Sequence, residues 1–244
     1  MERARRYSGG VIVRPAGDRQ LLITQSDHAR LAGRIMAHCA PLAVNPRRDA
    51  ILHAISEHDN GWAEEDASPT VDPHTGAVVD FVSAPLEVRH AVWPRGIERL
   101  AADSWAATLV AQHAITVYER FRADRKWDSF FERMERMRDD LLGRSHLPLT
   151  QLLEDYVFVR LGDLISLTFC TGWTEEQRFA HWKVKRTENS VLVSPGDFDD
   201  PAILMEIQAR TVPNRSFPTQ AALDDALRNA PVVMLSGEVI AARI

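Results

Sequence analysis

Asp49-Ala50-Ile51-Leu52-His53-Ala54-Ile55-Ser56-Glu57-His58-Asp59-Asn60-Gly61-Trp62 is the stretch on which the reading of the chain turns. Its first eight residues have helical spacing, and Ile51 and Ile55 share a face with His58 at offsets of seven and three. The helix therefore carries an imidazole and a carboxylate at its inner end. Burying that pair is costly unless something binds both groups, and a metal cation is the most economical partner. A plainer reading is a C-terminal histidine favoured by the helix dipole, with Asp59 capping the next turn.

Working outward, three other helical patterns turn an ionisable residue inward. Ser26 or Asp27 caps a helix from Ala29 to about His38, placing His28 on the face of Ala32, Ile35 and Cys39. Between Ser104 and Arg122, His113 falls on the face of Ala106, Val110 and Val117. Between Leu149 and about Phe169, Asp163 shares a face with Leu152, Tyr156, Val159 and Ser166, and a lone acid among so many aliphatic residues needs a partner. That partner is either a shared site or a buried arginine. Taken singly, His28 reads as a hydrogen-bonded helix-start residue, and His113 equally as a satisfied core histidine or a site residue. Together, His28, His58, Asp59, His113 and Asp163 offer imidazole nitrogen and carboxylate oxygen, a donor set suited to a divalent transition metal with positions open to water or substrate.

The remaining patterns set the frame. Two further helices are expected from Leu86 to Ala101 and from Lys126 to Leu142, the latter an exposed, ion-paired helix. The proline-marked segment from Glu64 to Phe81 reads as an ordered excursion without regular structure, shaping the mouth of a site. Val11–Arg14 and Gln20–Thr24 predict a hairpin. From Ala180 the pattern becomes extended, with strands at 181–186, Val191–Val193, Ile203–Ala209 and Glu238–Ala242 and a short helix from Thr219 to Arg228. The expected fold is mainly α: a helical bundle with an N-terminal β-hairpin and a small C-terminal α+β sheet region, the hairpin joining the C-terminal strands in one small sheet over one end of the helical body. Its expected division is a helical metal-binding domain over 11–175, hairpin included, and a small β-rich subdomain over 176–244.

The 244 residues are long enough for a large core, and 45% hydrophobic with 26% charged content is ordinary for a globular protein. A formal charge of -5 leaves no basic footprint, which disfavours nucleic acid as the main ligand. No apolar run is long enough to span a bilayer, and Met1–Arg6 leads into Tyr7-Ser8-Gly9-Gly10 rather than a signal-peptide core, so a cytoplasmic protein without membrane attachment is expected. Cys39 and Cys170, the only cysteines, fit reduced core thiols and exclude a zinc knuckle by count. Any metal is left to His and carboxylate.

Ile51–Gly61, ending in His58-Asp59-Asn60-Gly61, and Val159-Arg160-Leu161-Gly162-Asp163-Leu164 resemble the signature of the HD-domain superfamily of metal-dependent phosphohydrolases: a His, a His-Asp pair and a distant Asp. The resemblance implies an HD-like helical bundle in which His28, His58, Asp59 and Asp163 hold one or two divalent ions (Mn, Fe, Co or Ni). His113 stands where two-metal members carry an extra histidine, and His90 is the candidate for a second. Trp62 departs from the Lys or small polar residue that many members place after the glycine. The implied activity is hydrolysis of a phosphate ester of a small molecule or nucleotide through a metal-activated water, with Asp59 and His113 as catalytic residues. His113 would be a further ligand or the acid that protonates the leaving group, and Asn60 and Trp62 would line the entrance for a small, anionic substrate. The alternatives are an HD-like iron-dependent oxygenase and an inactive ligand-binding or sensor module. Gln25-x-Asp27-His28-Ala29-x-Leu31-Ala32-Gly33, Glu57–Trp62 and Asp80-Phe81 also resemble an uncharacterised bacterial family of unknown function, over most of the chain.

Overall fold

The computed structural model describes residues 9–242; residues 1–6, read above as unlike a signal-peptide start, lie outside them. The chain opens with the expected hairpin, β1 (Ile12–Ala16) and β2 (Arg19–Ile23), turning at Gly17 with φ of 65°. Helices α1 (Gln25–Met36), α2 (Ala40–Ala43) and α3 (Arg48–Glu57) follow. The polar excursion begins with a one-turn helix, α4 (Ala63–Ala67), and is otherwise pinned by an isolated bridge between Val71 and Val78. Then come α5 (Leu86–Arg99), α6 (Ser104–Tyr118), α7 (Asp128–Ser145) and α8 (Leu149–Thr171). Strands β3 (Gln177–Phe179), β4 (Trp182–Arg186), β5 (Ser190–Ser194) and β6 (Ala202–Pro213), helix α9 (Gln220–Arg228) and strand β7 (Val232–Ala241) complete the described chain.

The fold class corrects the mainly α expectation. Helices take 51% of the described residues and extended chain 21%, and the strands form one curled seven-stranded mixed sheet, an α+β fold. The order is β1-β2-β6-β7-β5-β4-β3, antiparallel throughout except for the parallel pair β5 and β7. The sequence reading made the sheet too small because it stopped β6 at Ala209 and started β7 at Glu238. In the structure Ala202–Arg210 pairs with Val232–Ile240 without a break. Alternation along β6 buries Ile203, Met205, Ile207 and Ala209 and exposes the residues between them, as a sheet with one covered face requires. The hairpin joins the same sheet through β2 and β6.

Helices α1 and α8 lie on that covered face, α1 against β6 and α8 against β1, β4 and β5. Helices α3 and α6 pack on the far side of α1 and α8. Both α6 and α8 are apolar nearly all round, the mark of a helix enclosed by neighbours. Gly162 allows α8 to close on its neighbours: a Cβ there would stand 2.7 Å from Met36 of α1 and 3.1 Å from Ile55 of α3. The three helices that carry His28, His58 and Asp163 therefore meet one residue from Asp163.

Candidate metal centre

His28 sits in the first turn of α1, which Thr24 caps by accepting from Asp27 N. Asp66 adds a cap from the polar excursion, its carboxylate accepting from Gln25 N at 2.9 Å and Ser26 N at 3.1 Å. Sequence reasoning missed Asp66 and assigned the cap to Ser26 or Asp27. His58 ends α3, where its Nδ1 donates to the Ile55 carbonyl at 2.7 Å. The plainer reading thus describes one of its nitrogens and leaves the other for a different task. After Asp59 the chain tightens into a 3₁₀ turn, Asn60–Trp62. Gly61 is required there, since a Cβ would fall 1.9 Å from the Val92 carbonyl oxygen of α5. Arg95 and Arg99 of α5 donate to the Gly61 and Asn60 carbonyls and fix the turn.

The side chains that the sequence singled out converge. His28 Nε2 lies 3.2 Å from Asp163 Oδ1 and 3.7 Å from Asp59 Oδ2. His58 Nε2 lies 3.4 Å from Asp59 Oδ2, 3.6 Å from Asp163 Oδ1 and 3.3 Å from His28 Nε2. His28, His58 and Asp163 each offer one ligand atom within 4.8 Å of the others. His113 of α6 stands alongside, its Nε2 3.8 Å from Asp163 Oδ2 and its Nδ1 3.1 Å from the Tyr156 hydroxyl. All five residues are buried.

The hydrogen bonds around the histidines set their tautomers. Ser166 donates its hydroxyl proton to the His28 carbonyl at 2.8 Å, so its oxygen must accept from His28 Nδ1–H, also at 2.8 Å. The Ile55 carbonyl likewise accepts only, and takes Nδ1–H of His58. Both neutral rings therefore aim an Nε2 lone pair at the same point, where carboxylate lone pairs also arrive. An assembly of acceptors at these distances is repulsive until a cation enters it.

Without a metal, a proton is that cation. Burial opposes the charge on His58, yet Asp59 and Asp163 outweigh it and raise its pKa to about 10. Burial also works against the Asp163 carboxylate, but the Arg160 guanidinium and the two histidines hold its pKa well below the usual range. His113 behaves oppositely to His58. Burial dominates there and pushes its pKa down to about 3, leaving a neutral ring.

A cavity of about 450 Å³ opens onto the cluster. His28, Asp59, His113 and Asp163 reach it, as does Trp62, which packs over Gly10. Phe81, Trp93 and Trp173 form further walls, and Arg160, ion-paired to Asp163 Oδ2, is one of its cations. Asn60 is not among the lining residues; its Oδ1 faces Gly96 of α5 and accepts no hydrogen bond. His90 stacks on Phe130 and meets Trp127 edge-on rather than joining the cluster. A larger cleft, about 990 Å³, lies between the 67–76 loop and α9, away from these residues.

Fold and site together define an α+β protein with a buried two-histidine, one-aspartate constellation at the meeting of three helices, flanked by Asp59 and His113. The chain belongs to the family described as Protein of unknown function (DUF3891), whose model matches residues 11–214 and so spans every one of these side chains. Neither the curated proteins nor the solved structures compared with the chain give a match. Among the described residues no helix is long and apolar enough to cross a membrane.

Proposed function

We propose that this chain is a metal-dependent hydrolase of small, anionic phosphate esters, with His28, His58 and Asp163 holding a divalent transition ion and Asp59 beside them. The observation that carries the reading is the pair of Nε2 lone pairs 3.3 Å apart, facing each other with carboxylate oxygens around them. The donor set fits: two neutral imidazoles and a carboxylate leave coordination positions on the cavity side. The likeness of Ile51–Gly61 and Val159–Leu164 to the HD signature supports the same reading.

A bound ion supplies Lewis acidity, making water a nucleophile near neutral pH and offsetting charge on a phosphoryl oxygen. Arg160 occupies Oδ2 of Asp163, leaves Oδ1 for the centre, and presents positive charge to the cavity where an anionic substrate arrives. Ser166 and the Ile55 carbonyl keep the protons of His28 and His58 on Nδ1, which orients both rings. Neutral His113 suits a ligand or hydrogen-bond partner better than an acid, because a group titrating near 3 is unprotonated at working pH. Trp62, Phe81 and Trp93 give the cavity aromatic walls against which the apolar part of a substrate can pack.

The test is phosphate release from phenyl phosphate by protein loaded in turn with manganese, iron, cobalt and nickel. Chelator should abolish release, and Asp59→Asn should lower kcat/KM by at least about a hundredfold while the circular dichroism spectrum is retained. No release with any of the four metals contradicts the reading.

A further inference from the structure

The cavity continues past the cluster along α5 and α6. Trp93 stands next to His113, ring centroids 5.6 Å apart, and Tyr118 next to Trp93 at 6.0 Å, so these three rings lead away from the metal ligands. At that end the cavity is lined by two more guanidiniums, Arg89 from α5 and Arg120 just beyond α6. His113, Thr116, Val117 and Arg120 recur at helical spacing, which sets Arg120 about 10 Å along the axis from His113.

These two arginines differ from every other cation near the site. Arg160 is tied to Asp163, Arg95 to Glu65 and Arg99 to Glu64. Among the described residues neither Arg89 nor Arg120 has a carboxylate partner; Arg89 lies 5.4 Å from the Trp127 ring centre and Arg120 4.8 Å from that of Phe121. Arg89 Nε is buried with no hydrogen-bond acceptor, and so is the indole nitrogen of Trp93, a residue only 5% exposed. Burial raises the pKa of the Tyr118 hydroxyl, while the Trp93 indole first and then the Arg89 and Arg120 guanidiniums act to lower it, so all three groups lie near that hydroxyl. The buried Arg89 Nε without an acceptor, the Trp93 indole that meets no acceptor in good geometry, and the exposed Arg120 guanidinium at the same end of an aromatic-walled cavity present donors to an anion that the protein itself does not provide.

We infer that Arg89, Arg120 and Trp93 form a second anion subsite, so that the substrate carries two anionic groups: one reacting at the metal centre and another, a carboxylate or a phosphate, held at this far end across a flat apolar body. The inference rests on the hydrolase reading for its first group only. Occupation of the far subsite needs no turnover.

Binding and turnover are therefore measured separately. Calorimetry on metal-loaded protein compares phenylphosphonate with 4-carboxyphenylphosphonate and with 1,4-phenylenediphosphonate. The two doubly anionic probes should bind at least about tenfold more tightly than phenylphosphonate, and whichever gains more identifies the second group. Arg120→Gln, at an exposed position, and Arg89→Gln should each remove most of that advantage. The exposed Arg136→Gln should leave it intact. Equal affinities for the three probes, no measurable binding of any, or an advantage that survives both subsite variants overturns the inference. If the advantage is present but phenyl phosphate is not turned over, the subsite stands and the hydrolase reading fails.

Discussion

Helix α8 buries two aspartates on one face about 12 Å apart, Asp155 and Asp163, and their surroundings are opposite. Asp155 is enclosed by donors: Asn45 Nδ2 at 3.0 Å, Arg47 Nη2 at 3.2 Å and Trp105 Nε1 at 3.0 Å. Every group near it completes a hydrogen bond within the protein, so nothing remains for a ligand to do. Asp163 has one guanidinium on Oδ2, while Oδ1 faces two imidazole nitrogens whose lone pairs point the same way. One carboxylate closes a structural joint between α8, α6 and the segment before α3. The other belongs to the arrangement we propose takes a cation. Burial alone does not separate the two; the direction in which the neighbouring protons point does.

That contrast breaks first at Asp155. Asp155→Ala would strand the Arg47 guanidinium and the Trp105 N–H, a loss of about 3–5 kcal/mol, or roughly 6–20 °C in Tm for a chain of this size. Metal content per folded chain should stay unchanged. Differential scanning calorimetry with elemental analysis reads both, and a parallel loss of metal would erase the distinction between the two acids.

A smaller effect comes from the proton that occupies the centre without metal. The folded pKa of His58, about 10, lies above its unfolded value, so its contribution to metal-free stability is complete below about pH 6.5 and is lost as pH rises toward 10. An entering ion must displace that proton. Metal affinity should therefore rise by about tenfold per pH unit between roughly pH 7 and 9, with close to one proton released per ion, measurable by calorimetry in buffers of different ionisation enthalpy. A flat profile would mean that His58 is not a ligand.

The smallest effect tests how the site is braced. Asp66→Ala removes the carboxylate that caps Gln25 N and Ser26 N and should cost about 1 kcal/mol, seen as a shifted urea midpoint. Burial raises the Asp66 pKa to about 7, above its unfolded value, so the contribution of this group to stability falls as pH rises from about 4 to 7. Asp66→Ala should flatten that slope.

The parts of this account that were legible in the sequence are the local ones. Periodicity located α5 to α8 within a few residues, placed His58 and Asp59 at the end of α3, and put His28, His113 and Asp163 on inward faces. An arginine partner for Asp163 was raised as an option and is present three residues away in Arg160, beside the histidines rather than instead of them. The sheet was not legible at its true size. That the hairpin joins the C-terminal strands was expected, and residues 12–23 do lie beside residues 202–213; the length of β6 and β7 was not, because their pairing is long-range and leaves no trace in a window of ten residues. Val232–Leu235 precedes Gly237 and carries exposed Val232 and Met234, so its pairing with β6 could not be read from burial alternation alone. Asp66 lay hidden for a similar reason, capping a helix start 41 residues away from a stretch that looked like solvated loop. Asp155 sits at helical spacing from Val159 and Asp163, and that signal was available but passed over. Arg89 and Arg120 gave none, since an unpaired arginine looks like any other until its neighbours are known.

The most direct test of the central claim is elemental analysis of the native protein, purified without chelator, beside Asp163→Asn. The account predicts close to one manganese, iron, cobalt or nickel per native chain, and less than about a tenth of that in the variant. Metal-free native protein that takes up none of the four ions on dialysis, or full metal content in Asp163→Asn, would contradict it.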